Sequence, residues 1–375
     1  MKKTSHWIVA AFALLFTLPV TAGRTGLRKQ QVKQQMTLVA DWQINTFDTK
    51  RHTSNDLDWT YGALYIGMYD WAELCEAQDA SSRYFDFLRQ IGSRNNYGVG
   101  RRKYHADDIC VGQTWLRVGN KYNDPQMKAA TINRANFVQT HPSVETMKLD
   151  YRNGKTLERW TWCDALFMAP PVYVQLYNET GEKRYLDFMK KEYLETYNLL
   201  YDKSEHLFYR DFRYIGKQEA NGAKVFWGRG NGWVIAGLAN MLKVYPKSDK
   251  EGYKFFKRLF VELATRLSAL QQPDGYWHAS LLDPAAYPSP ETSSTGFITY
   301  GLAYGINAGL LSKSKFLPVV EKGWNALCRA VESDGMLGWV QPVGADPQKV
   351  KRSDTEVYGP GAFLSAGCEV YKLAR

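Results

Sequence analysis

The sequence predicts an all-α fold in which an inner ring of helices is wrapped by an outer one, a barrel of helical hairpins. Two observations carry this expectation. From about residue 28 onward strand-like alternation is rare, and helical stretches alternate with short polar breaks. The helical stretches are also of two kinds. One is poor in charge and rich in small and aromatic residues, and a helix apolar all round belongs inside. The other has one apolar stripe and a charged face, and belongs at the surface.

In chain order the inner-type stretches are WTYGALYIGMYDWAELC (59–75), DDICVGQTWLRVG (107–119), WCDALFMAPPVYVQLY (162–177), RGNGWVIAGLANMLKVY (229–245), STGFITYGLAYGINAGLL (294–311) and YGPGAFLSAGCEVYKL (358–373). Amphipathic partners lie at 81–93, 182–201, 251–267 and 316–331. Glycines on the inner stretches fit close packing of backbones around an axis. The repeat is degenerate, so an α-solenoid is the structural rival. Two Asp-Gly pairs, in QQPDGYWHASLLD and VESDGMLGWVQPVG, read as short β-hairpin excursions at one rim, where sites gather on scaffolds. A length of 375 residues leaves one large domain or two ordinary ones open.

The N-terminus has Lys2 and Lys3, an apolar stretch from Trp7 to Val20, and Val20-Thr21-Ala22 before Gly23. This is the pattern of a secretory signal peptide over 1–22, so residues 23–375 are expected as an exported chain, periplasmic in a host with two membranes. No later segment is long and apolar enough to span a bilayer, and membrane insertion is not expected. Loss of two lysines and no acids takes the formal charge from +10 to +8. The charges are scattered, which favours a small acidic partner over nucleic acid. Five cysteines at wide spacing read as free buried thiols. Tyr 24, Phe 17 and Trp 12 fit either a filled core or a sugar-stacking site.

Asp164 is the one acid within RWTWCDALFMAPPVYVQLY (159–177). In a helix, Trp160, Asp164 and Met168 share a face, and desolvation there raises a carboxyl toward the protonation a general acid needs. The structural alternative is a cap, or a pair with an arginine such as Arg159. In RKYHADDICVGQ, Asp107 and Asp108 open a helical stretch, where one aspartate is expected to cap. His105 with Asp107 is a weak hint of a metal, and no H-E-x-x-H pattern supports it. In FWGRGNGWVIAGL, Trp227, Arg229 and Trp233 are expected to set a guanidinium between two indoles at a helix start, a setting for a carboxylate-bearing ring. Trp59, which opens the first inner stretch, joins these candidate substrate-binding residues.

The stretches HADDICVGQTWL, WTWCDALFMAPPVY, LFYRD, FWGRGNGWVIAGL, GYWHASLLD, ETSSTGFITYGLAYGI and YGPGAFLSAGCEV resemble glycoside hydrolase family 105, in the family's order over about residues 30–373. The resemblance implies an (α/α)6 barrel as a single catalytic domain over 23–375, with no metal and no cofactor. It implies removal of a 4,5-unsaturated uronic acid from the non-reducing end of lyase-generated oligosaccharides, by hydration of the C4=C5 bond. Asp164 is implied to protonate C4 and then, as carboxylate, to take a proton from the water adding at C5. Asp107 is implied as the second acid, Trp227, Arg229 and Trp233 as the uronate pocket, and Met168 as the residue under the ring. An unsaturated rhamnogalacturonyl substrate comes first. Arg210, where many members have histidine, opens the alternative of an unsaturated glucuronyl substrate, because arginine can fork a carboxylate. A conventional inverting hydrolase, a lyase and a non-catalytic sugar-binding protein are the rival readings.

Overall fold

The computed structural model describes residues 26–49, 55–79 and 81–375, so the expected signal peptide lies outside the described residues. The helices in chain order are α1 (Lys29–Thr46), α2 (Trp59–Asp79), α3 (Arg83–Arg94), α4 (Gly112–Tyr122), α5 (Gln126–Thr140), α6 (Ala165–Met168), α7 (Pro170–Thr180), α8 (Lys183–Leu200), α9 (Gly228–Val244), α10 (Lys250–Ala269), α11 (Thr292–Asn307), α12 (Lys313–Arg329) and α13 (Tyr358–Leu373). Helices α2, α4, α7, α9, α11 and α13 pack each on the next, and α13 packs back on α2 to close a ring. Each also packs on one outer partner: α3, α5, α8, α10, α12 and, for α13, α1. The chain ends complete the circle. Lys29 N–H donates to the Arg375 carbonyl, and Arg375 N–H to the Leu27 carbonyl, each at 3.0 Å. This is a closed double ring and not a solenoid.

Local chemistry sets the helix ends. Pro170 and Pro171 open α7, where a missing N–H costs nothing. Gly181, at φ 71°, ends α7 in the left-handed conformation. Glu291 caps α11 by accepting the N–H groups of Ser293 and Ser294. Ring closure depends on two glycines facing each other. A Cβ on Gly67 of α2 would fall 2.1 Å from the Gly361 carbonyl oxygen, and one on Gly361 of α13 would fall 2.3 Å from the Ala63 oxygen.

Inner helices run parallel, and outer helices return antiparallel to them. The connections from an inner helix to its outer partner are therefore all at one mouth, and they are short: 123–125, 181–182, 245–249 and 308–312. Those from an outer helix to the next inner one are all at the other, and are long: 95–111, 141–164, 201–227, 270–291 and 330–357. The Asp-Gly excursions belong to this long-loop mouth, and Gly275 (φ 94°) and Gly335 (φ 98°) make their turns. They hold isolated bridges, Trp227 with Ser280 and Val331 with Leu337, in place of hairpin ladders. The two-stranded ladder of the described residues pairs β1 (Tyr201–Asp202) with β2 (Leu207–Phe208), which the sequence reading did not single out.

Candidate active site

A cavity of about 380 Å³ opens in the long-loop mouth, within the size range of small-ligand sites. Asp107, Asp164, Arg210, Met168 and Trp59, five of the residues singled out in the sequence, are brought together in its lining. All six inner helices begin at this mouth, so their positive dipole ends converge where an anionic ligand would sit.

Asp164 immediately precedes the one-turn α6, and its side chain makes no cap bond. The residues before it are extended, with Trp162 bridged to Asp211 and Cys163 N–H donating to the Arg210 carbonyl at 2.8 Å. The expected helical face of Trp160, Asp164 and Met168 therefore does not form. Trp160 turns outward onto Tyr173 and Phe188, while Trp162 lines the cavity. The same bridge sets Arg210 beside Asp164, with Nε 3.5 Å from Oδ2. The Cys163 thiol is also 3.5 Å from Oδ2. Asp164 is 7% exposed, and burial pushes its carboxyl above the usual range while Arg210 pulls it back. Arg159 is not its partner. That guanidinium forks Glu192, at 2.8 and 2.9 Å.

Arg210 is held from two sides. Its Nη1 donates to Asp211 Oδ2 at 2.8 Å and to the Tyr151 hydroxyl at 2.9 Å. Asp211 is fully buried and also accepts both Nε and Nη2 of Arg213. A substrate carboxylate can take Nη1 only if Tyr151 releases it. The expected free fork is therefore reduced to a single unengaged nitrogen, Nη2, beside an Nε that faces Asp164.

Asp107 follows His105, whose ring nitrogen caps the Asp107 N–H at 3.3 Å. The capping role expected of an aspartate thus falls to the histidine. Asp108 instead holds Arg102, accepting its backbone N–H at 2.6 Å and its Nε at 2.9 Å. Burial, with Asp164 adding like charge against the opposing pull of Arg102, pushes the Asp107 carboxyl up to about 8.

Trp227, Arg229 and Trp233 are not among the lining residues, although Arg229 is near enough to Asp164 for its charge to pull that carboxyl down. Arg229 is fully buried. Its guanidinium lies between the rings of Trp227 (4.5 Å) and Tyr358 (4.9 Å), not Trp233. It donates to the carbonyls of Gln341 and, at 2.9 Å, Pro342. Trp227 Nε1 donates to Gln341 Oε1 at 3.0 Å. Together they fix the loop whose next residues, Val343, Gly344 and Ala345, line the cavity. Trp233 backs Trp59, with ring centroids 5.8 Å apart. Sequence reasoning missed Tyr151, Arg102 and the 343–345 loop as lining residues. The only signal for the loop was its place after the second Asp-Gly turn.

The family model described as Glycosyl Hydrolase Family 88 matches residues 35–374. The chain belongs to glycosyl hydrolase family 88. An unsaturated 3S-rhamnoglycuronyl hydrolase of Formosa agariphila is 37% identical, over 93% of this chain and 92% of that protein. A solved structure described as a polysaccharide lyase is 31% identical with a TM-score of 0.80, covering 92% of this chain and 98% of that one. A structure described as a possible member of family 105, from Salmonella enterica, has a TM-score of 0.74 at 16% identity, covering 97% and 100%, and shows the shared fold. This family 88 member is a glycosidase, an unsaturated uronyl hydrolase.

Proposed function

We propose that the cavity takes the unsaturated uronyl end of a lyase-generated oligosaccharide and hydrates its C4=C5 bond, with Asp164 as the acid and base. The observation that carries this is that one cavity brings together two carboxyl groups, the partly buried Asp107 and the buried Asp164, with Arg210 beside the second. Protonation at carbon needs an acid that holds its proton near neutral pH, and burial raises Asp164 toward that state. Once the proton has gone to C4, Arg210 favours the carboxylate that then accepts a proton from the water adding at C5. The hemiketal formed opens without further help, and the aglycone leaves with its own oxygen. Trp59 and Met168 supply apolar surface for the ring.

The substrate class follows the relative named for a rhamnoglycuronyl hydrolase: an unsaturated uronic acid joined to a rhamnose-bearing chain. Such a substrate exists only after a polysaccharide lyase has acted. Residues 1–22 support export to the periplasm. The likeness to a structure described as a lyase favours a second reading, elimination from a saturated polymer. One assay separates the two. With lyase-made oligosaccharides, hydration removes the absorbance of the conjugated double bond. With saturated polymer, elimination creates it.

A further inference from the structure

Asp107 sits in surroundings that suit a carboxylic acid and disfavour a carboxylate. Its Oδ1 is buried with no hydrogen-bond partner, and an ionised oxygen in that position is costly. Its Oδ2 lies 3.5 Å from His105 Nδ1. That nitrogen already accepts the Asp107 N–H, so it presents a lone pair and the ring proton belongs on Nε2. That lone pair, shared with the long 3.3 Å bond from the Asp107 N–H, repels a carboxylate oxygen and attracts a carboxylic O–H. A doubly protonated ring is opposed by burial, then by Arg102 and Arg210, which hold His105 down to about 3.

The neighbouring charges do not reverse this. Arg102 is held by Asp108, and Arg210 by Asp211 and Tyr151. Arg134 of α5 donates to the carbonyls of Gly100 and Arg102. Asp58, at the start of α2, bonds Thr60. Asp164 faces the same cavity and becomes a like charge whenever it gives up its proton. Among the described residues no lysine or arginine nitrogen is in ion-pair contact with Asp107.

We propose that Asp107 works as a neutral carboxylic acid whose one proton, turned toward His105 Nδ1 in the free enzyme, swings to donate a hydrogen bond to an anionic or hydroxyl oxygen of the substrate when it binds, and that His105 is the positioning residue that holds the acid protonated until then. The role rests on the uronate reading above: a neutral Asp107 takes a negative charge away from beside the substrate carboxylate. No proton is gained or lost by Asp107 over the reaction, so Asp164 alone carries the proton to C4 and receives one from water.

The test uses the substrate-free enzyme, so its failure is distinct from failure of the hydrolase reading. Difference infrared spectroscopy of wild type against Asp107→Asn at pH 7 should show a protonated-carboxyl C=O band that the variant lacks. Its loss with rising pH should centre near 8. A carboxylate band for Asp107 at pH 7 overturns the proposal. His105→Phe, which removes the lone pair, should move that midpoint down by about one unit, tenfold in the proton equilibrium. An unmoved midpoint in a folded variant removes His105 from the role. Should that variant not fold, the ¹⁵N shifts of His105 in wild type decide: a proton on Nε2 alone supports it, and one on Nδ1 overturns it.

Discussion

The two mouths of the barrel use the same residue types to opposite ends. At the short-loop mouth, two cavities of about 320 and 580 Å³ share Asp70, Arg117 and Lys243. There the charges are matched. Arg117 bonds Asp70 at 2.6 Å and Glu73 at 3.1 Å, and Lys243 and Lys372 bond Glu369 at 3.0 and 2.9 Å. Lys243 and Lys372 also lie in the last turns of α9 and α13, where the dipole favours them. At the long-loop mouth Asp107 Oδ1 and Arg210 Nε lack hydrogen-bond partners, and Asp164 has a thiol and a 3.5 Å arginine. One mouth pairs its charges and stabilises the ring, leaving among the described residues only neutral groups such as the Asn240 amide nitrogen without a partner. The other leaves its polar groups poised for a ligand.

The contrast is sharpest at Asp164. Asp164→Asn should keep the fold and lower kcat by ~10²–10⁴, as loss of an acid/base group does. The loss of double-bond absorbance measures it, with circular dichroism as the folding control. Lys243→Met at the other mouth should do the reverse. It removes one of the two lysines paired with the buried Glu369, which keeps Lys372 and Asn307, at a cost of about 1.5 kcal/mol in denaturant unfolding, while kcat/KM stays unchanged. A fall in kcat/KM for folded Lys243→Met would show that the mouths are not independent.

Asp107 links site and stability through pH. In the fold it keeps its proton up to about 8, whereas in the unfolded chain it ionises near ~3.9. Between those values the unfolded state binds fewer protons, so its contribution to stability is full at low pH and is lost as pH rises toward 8. Asp107→Asn should therefore raise Tm relative to wild type by a margin that is small near pH 4 and largest above 8. An equal margin at all pH values would contradict a raised Asp107. Replacing Arg210 by His should change the kcat/KM ratio between unsaturated glucuronyl and rhamnogalacturonyl disaccharides, since the ratio cancels differences in active fraction. An unchanged ratio would leave Arg210 as a partner of Asp164 alone. The smallest effect is expected for Tyr151→Phe, which removes one solvent-exposed acceptor from the Arg210 guanidinium while Asp211 keeps its own bond to the same nitrogen, worth about 1 kcal/mol or roughly fivefold in KM.

Much of this contrast was legible in the sequence because it follows from composition. Inner helices touch neighbours all round, so the six stretches opening at Trp59, Asp107, Trp162, Arg229, Ser294 and Tyr358 stand out by lack of charge. Outer helices α1 and α5 escaped notice because their apolar residues are not gathered into a clear stripe. At the site, Asp164 was visible as a lone acid among apolar residues, and Asp107 by its place at a helix start. The direction of Arg229 was not. A glycine-rich helix start with flanking indoles reads alike whether its arginine faces a ligand or a loop, and the deciding partners, Gln341 and Tyr358, are over 100 residues away. Tyr151 was missed for the same reason: only the bridge between Trp162 and Asp211 shows that Arg210 points toward it.

Oxygen tracing tests the hydration chemistry most directly. In H₂¹⁸O, with products trapped early against carbonyl exchange, hydration of the C4=C5 bond places the label on C5 of the released uronate and none on the aglycone. Label first appearing at C1 of the uronate would show attack at the anomeric carbon, and would contradict Asp164 as the donor to C4.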